Sequence, residues 1–266
     1  MERAAGTDEM SSSVGRKRSF AAGALCALLL VTGCSTADSA PSPDRTEAVP
    51  PPPPDKGPLC AGDKDGGPRL AGVHVLRGGK ARLPGGAAVW YTEARSDGRS
   101  RQAVLVEAAT PADRQDGRRR TVAPRDELTV DGRRYTVRQI CSYRVVLTPR
   151  DAPVPTPAPV PSGENAWPPL AGGRWRLRWH VPHSRYAGGN ESVVLYDVYD
   201  GPKRAHIGVT PNKVDGGASY DDARIGDTLE IAGRLWRVAE IGVGKMDVGE
   251  GDREFRAGYV DLRPVG

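Results

Sequence analysis

Apolar and polar positions alternate strictly through part of the chain. Leu128 and Val130 alternate with Glu127 and Thr129, Asp131-Gly132 follows, and Tyr135 and Val137 resume the alternation. A period of two places one set of side chains on one face of a strand. Asp-Gly between two such runs predicts a hairpin, because a type I′ turn needs positive φ at both central residues. At an offset of 101 residues, Leu229, Ile231, Gly233, Arg234, Trp236, Val238 and Ile241 stand where Leu128, Val130, Gly132, Arg133, Tyr135, Val137 and Ile140 stand. Ala232-Gly233 is a weaker version of the same turn. The spacing is too long for a solenoid and predicts two copies of one domain.

The other strand candidates in the first copy are 73–76, 87–92, 103–108 and 143–147. In the second they are 175–181, 192–200, 206–209 and 257–263. Gly-Gly pairs and prolines punctuate them, and no stretch carries a helical period. The expectation is an all-β chain: two tandem small antiparallel β-barrel or β-sandwich domains, about six strands each.

Two segments cannot pack. Residues 34–57 are rich in Ser, Ala, Thr and Pro and contain the run Pro50 to Pro54; residues 151–162 carry proline at every second position from Pro153 to Pro161. Such sequences favour polyproline II. At about 3.1 Å per residue the first is expected to reach up to roughly 70 Å and the second up to about 37 Å, holding two domains apart. The blocks between them, 58–150 and 163–266, are each long enough for one small core.

Charge distinguishes the copies. Residues 58–150 hold 18 basic and 10 acidic residues, a net of +8; residues 163–266 hold 14 and 15, a net of −1. A basic first domain is attracted to polyanions, and salt screens that attraction.

Residues 16–34 contain Arg16-Lys17-Arg18, an uncharged apolar run from Phe20 to Val31, and Val31-Thr32-Gly33-Cys34. About 12 apolar residues span roughly 18 Å as a helix, short of the hydrocarbon core and right for a signal h-region. The pattern resembles a bacterial lipobox. That resemblance implies a signal peptide over 1–33, cleavage before Cys34, and diacylation of its thiol, which gives stable membrane anchoring. An ordinary signal peptide or an uncleaved short anchor fits the same run. Met10 is an alternative start, and Lys17-Arg18-Ser19-Phe20 resembles a relaxed twin-arginine signal, so the export route stays open. The Arg-, Ala-, Gly- and Pro-rich composition resembles that of GC-rich actinobacterial proteins. On that reading the protein sits on the outer face of the cytoplasmic membrane, where nucleic acid is a poor partner.

Cys26 lies in the h-region. Cys60 and Cys141 remain, and two cysteines in an oxidising compartment most simply pair. Free thiols or a metal pair are the alternatives, although no Cys-x-x-Cys or clustered His accompanies them. Cys141 aligns with Gly242. The second copy holds Trp167, Trp175, Trp179 and Trp236, the first only Trp90. A disulfide offsetting a thinner core in the first copy is the expectation.

Arg174-Trp175-Arg176-Leu177-Arg178-Trp179-His180-Val181 alternates throughout. Trp175, Leu177, Trp179 and Val181 are expected to face the core, leaving Arg174, Arg176, Arg178 and His180 as a candidate anion clamp or as an ordinary solvated face. His183 is expected in a loop, and His180/His183 point apart on a strand, so no metal site is assigned. Asp63-Lys64-Asp65-Gly66-Gly67 lacks most ligands of a calcium loop. Arg118-Arg119-Arg120 reads as a solvated loop that can touch polyanions. Hydrolase, P-loop and dinucleotide patterns are absent, and no cofactor is assigned, although triads can assemble from scattered residues.

Gly226 to Val238 resembles the domains of unknown function common in actinobacterial secreted proteins, and that likeness implies no activity. The expected function is a lipid-anchored, non-catalytic binding module of the envelope. Its partners are the bilayer through Cys34 and, through domain 1, anionic lipid or wall polymer. An enzyme acting on wall polymers and a structural spacer are the alternatives.

Overall fold

The computed structural model describes residues 55–63, 67–108, 112–156, 167–185, 191–211, 217–247 and 255–266. The signal region, Cys34 and most of the first proline segment lie outside the described residues.

Strands dominate, and no α-helix occurs among the described residues. The first copy contains β1 (Cys60–Gly62), β2 (Val73–Leu76), β3 (Lys80–Arg82), β4 (Ala88–Ser96), β5 (Arg101–Glu107), β6 (Arg118–Val122), β7 (Glu127–Val130), β8 (Arg133–Cys141) and β9 (Arg144–Pro149). The second contains β10 (Trp175–Arg178), β11 (His183–Arg185), β12 (Glu191–Tyr199), β13 (Arg204–Pro211), β14 (Ala218–Ala223), β15 (Thr228–Ile231), β16 (Arg234–Asp247) and β17 (Phe255–Pro264). Among the described residues each copy therefore has eight equivalent strands rather than six, and the first adds β1. Short strands such as β3 and β11 carry too few residues to show alternation.

In the first copy β3-β4-β5-β6 form one antiparallel sheet, and β9 lies between β8 and β2 in another, with β7 and β1 sharing the far side of β8. Their inner faces meet in one core containing Val75, Tyr91, Leu105, Tyr135, Val137 and Leu147. The second copy repeats the pairing, but β12 also pairs β17 at Val198 and Tyr199, which joins its strands into one eight-stranded sheet.

The repeat extends to single hydrogen bonds. The amide of Arg125 donates to Val137 O and that of Gly226 to Val238 O; the amides of Val137 and Val238 donate back to Asp126 O and Asp227 O. Asp126 and Asp227 each accept from the amide three residues earlier, at 2.7 and 2.8 Å. Both hairpins turn through positive φ, at Asp131-Gly132 (48° and 71°) and Ala232-Gly233 (54° and 67°). Bulges recur at Val137/Gln139 and Val238/Glu240.

The copies are not held apart. The amide of Ser219 on β14 donates to Arg77 O, and the amide of Gly72 donates to the carbonyl of Pro155. Residues 151–156 thus run back along the first copy, because Pro155 still offers a carbonyl acceptor even though proline lacks a donor. The best record of the seam is one strand seen twice. In β7 Leu128 and Val130 are buried and Glu127 and Thr129 exposed; in β15 all four residues are buried. Glu230 occupies the place of Thr129 and is covered by the first copy.

Cys60 and Cys141 are disulfide-bonded and are direct register partners between β1 and β8. Cys141 and Tyr143 pack with the second copy's core, so the bridge stands beside the seam. The first proline segment ends in an anchor: Asp55 accepts from Nη1 of Arg101 at 2.5 Å, Arg101 is 1% exposed, and its Nε donates to Pro58 O. Burial pushes the Asp55 carboxyl up, but the Arg101 and Gly57 hydrogen bonds outweigh it and hold it below its ordinary value.

Candidate functional sites on the two outer faces

The arginine row of β10 is mostly engaged within the protein. Trp175 and Leu177 enter the core as expected, and Arg174, Arg176 and Arg178 stay outside. Arg176 grips buried Asp261 of β17 with Nε and Nη2, both at 2.7 Å, while Arg174 reaches the same carboxylate at 3.3 Å. Arg176 also stacks 3.8 Å over the ring of Tyr259. The strand ends at Arg178, so alternation fails beyond it. Trp179 is half-buried, and Val181 is exposed. His180 turns through a φ of 54° and stacks on Trp179 at 4.0 Å. His180 corresponds to Gly78 (φ 68°), since their amides donate to equivalent carbonyls, Leu195 O and Tyr91 O. His183 lies on β11, not in a loop, and its Nδ1 accepts from the indole N–H of Trp175 at 3.2 Å. Burial, then the charge of Arg178, lowers its pKa, which keeps that lone pair available.

At the seam, Arg144 Nη1 donates to Glu230 Oε2 at 2.9 Å, and its Nη2 to Gln139 Oε1 at 2.8 Å. Gln139 donates to Asp63 O. Tyr220 donates its hydroxyl to Glu230 O and accepts from the Glu230 amide. Burial raises the pKa of that hydroxyl. These groups are buried and mutually satisfied, which suits a structural joint.

The outer sheet faces differ between copies. In the first, Lys80, Trp90, Val106 and Arg119 stand in direct register across β3, β4, β5 and β6 and so share a face. Trp90, Val106 and Ala108 form a small apolar cluster separate from the main core. Lys80 and Arg114 lie over the Trp90 ring, at 5.8 and 5.5 Å from its centroid, the distance range of cation–π attraction. The indole Nε1 of Trp90 is buried and has no acceptor among the described residues. Arg118-Arg119-Arg120 is an edge strand rather than a loop. Arg118 and Arg119 are exposed, and Arg120 donates to Thr129 O.

In the second copy, a bulge in β12 brings Asp197 opposite His206. His206 Nε2 lies 3.1 Å from Ser219 Oγ, and Nδ1 lies 3.5 Å from Asp197 Oδ2. The order of groups is that of a hydrolytic triad. Its surroundings are different. Ser219 donates its hydroxyl to Asp221, and its amide is used by Arg77 O. A nucleophile needs its proton directed to the base; that of Ser219 goes to Asp221 instead. No group of three or more His, Cys, Asp or Glu among the described residues could hold a metal ion.

A family of unknown function (DUF6406) matches residues 172–254, within the second copy and including this cluster. No curated protein and no solved structure matches the chain. The sequence names Arg118, Arg119 and Arg120 but not the Trp90 face that Arg119 joins, nor the cluster of the second copy. Val106 and Arg119 are 13 positions apart in the chain, and only strand pairing makes them neighbours.

Proposed function

We propose that this chain is a lipid-anchored envelope protein that binds without catalysing, and that its first copy presents a cationic sheet face to phosphodiester anions. The observation that carries the reading is the row Lys80–Trp90–Val106–Arg119 with Arg114 against the indole. Guanidinium groups suit phosphate oxygens. The lipobox-like segment ending in Cys34 supports attachment to the membrane, and the disulfide supports an oxidising compartment. Neither the arginine row of β10 nor the Ser219 cluster supports an enzyme.

Phosphodiesters occur in lipid headgroups and in wall polymers, so the test has two arms. The mature chain is titrated with phosphatidylglycerol vesicles, phosphatidylcholine vesicles and soluble poly(glycerol phosphate). The reading expects binding to an anionic arm, weakened by salt and by Arg114→Ala/Arg119→Ala. Equal binding to neutral vesicles, or no effect of the double variant, would overturn it. Binding to poly(glycerol phosphate) alone would assign the wall polymer, and to anionic vesicles alone the bilayer.

A further inference from the structure

The equivalent face of the second copy has different chemistry. Val194 and Gly208 stand in register where the first copy has Trp90 and Val106. Ser219 pairs with Gly208 where Arg119 pairs with Val106. Where the first copy has Arg119 this face has the Ser219 hydroxyl, with the carboxylates of Asp197 and Asp221 around His206.

Tyr196 stands on the same face beside the β12 bulge and is 37% exposed. Its ring rests on Gly208: a Cβ at that position would run into the ring edge, so glycine lets the tyrosine lie down. The ring centroid is 4.9 Å from that of His206, tilted by 44°. His206 lies between Asp197 and Asp221, and Ser219 bonds to Asp221. Asp221 is 76% exposed.

We infer that Tyr196, with Asp197, His206, Ser219 and Asp221 beside it, is a binding site for an uncharged saccharide. A reclining aromatic ring with a polar rim matches a sugar, which has one face of C–H bonds and an edge of hydroxyls. The C–H face packs on Tyr196, and the hydroxyls donate to the carboxylates. Two carboxylates at the rim disfavour a polyanion, so this face does not duplicate the cationic one. The inference rests on the envelope-binding reading only for placing the protein near glycan.

The test is a titration of the whole mature chain with a β-1,4-linked N-acetylglucosamine tetramer, followed by amide NMR shifts. The expected result is saturable shifts confined to β12, β13 and β14, with millimolar affinity or better. Tyr196→Ala is expected to weaken binding about tenfold, the loss of one aromatic contact. Gly208→Val, which lifts the ring, should do likewise. The amide spectrum of each variant shows whether it is folded. Arg114→Ala/Arg119→Ala should leave sugar binding unchanged, which separates this site from the anion face. Absence of saturable shifts, or binding untouched by Tyr196→Ala, would overturn the inference whatever the anion titration shows.

Discussion

Arg144 in the first copy and Glu230 in the second form an ion pair at 2.9 Å with both side chains buried, 0% and 5% exposed. Neither side chain is solvated: Arg144 relies on Glu230 and Gln139, and Glu230 relies on Arg144, with His74 Nδ1 3.7 Å from its other oxygen. Removing one partner from a buried pair costs about 3–5 kcal/mol. Glu230→Ala should therefore lower stability by about that amount in urea titration. Thr129→Ala, at the equivalent but exposed position of β7, should change it by under about 0.5 kcal/mol.

Gly78 and His180 make the same turn in the two copies, with different neighbours. A Cβ at Gly78 would collide with the Ser219 carbonyl across the seam. His180 is exposed, and a left-handed φ costs a non-glycine residue roughly 1 kcal/mol. His180→Gly should leave the thermal midpoint unchanged or raise it slightly. Gly78→Ala should lower it and accelerate amide exchange in β14.

Much of this fold is legible from alternation and the 101-residue offset. Leu128, Tyr135, Trp236 and the two turns behave as their pattern dictates. The seam is not legible. Glu230 sits at a polar position of an alternating strand, and nothing local shows that a second sheet will cover it. Its only trace is a carboxylate where the sister copy has Thr129. The proline segment after Asp151 suggests separation, since composition reports chain stiffness and not the backbone partners that Pro155 finds. The outer faces are hidden for the same reason: Asp197, His206 and Ser219 become neighbours only through pairing and bulges.

Cys60 and Cys141 close a loop with a sequence separation of 81 and stand beside the second copy's core. The chain-entropy contribution for such a loop is on the order of 4 kcal/mol. Cys60→Ala/Cys141→Ala should lower the midpoint of both copies together. A change confined to the first copy would mean that the bridge serves only its own core.

Acid should loosen the second copy through Asp261. The hydrogen bond from Arg176 holds its carboxyl below the ordinary 3.8, against the upward push of burial. A depressed carboxylate contributes stability that is present above the unfolded pKa and lost as pH falls through the folded value. Wild type should therefore lose stability below about pH 4. Asp261→Asn should be less stable at neutral pH and show a shallower loss over that acid range, read as thermal midpoint against pH.

The two outer faces belong to one body only if the seam holds. The most direct measurement is equilibrium urea unfolding of the mature chain, followed residue by residue through amide NMR signals of both copies. A single transition is expected, with Val106 and Tyr135 losing their native signals at the same urea concentration as Leu195 and Trp236. Two separated transitions would show that the copies fold independently and would contradict the account.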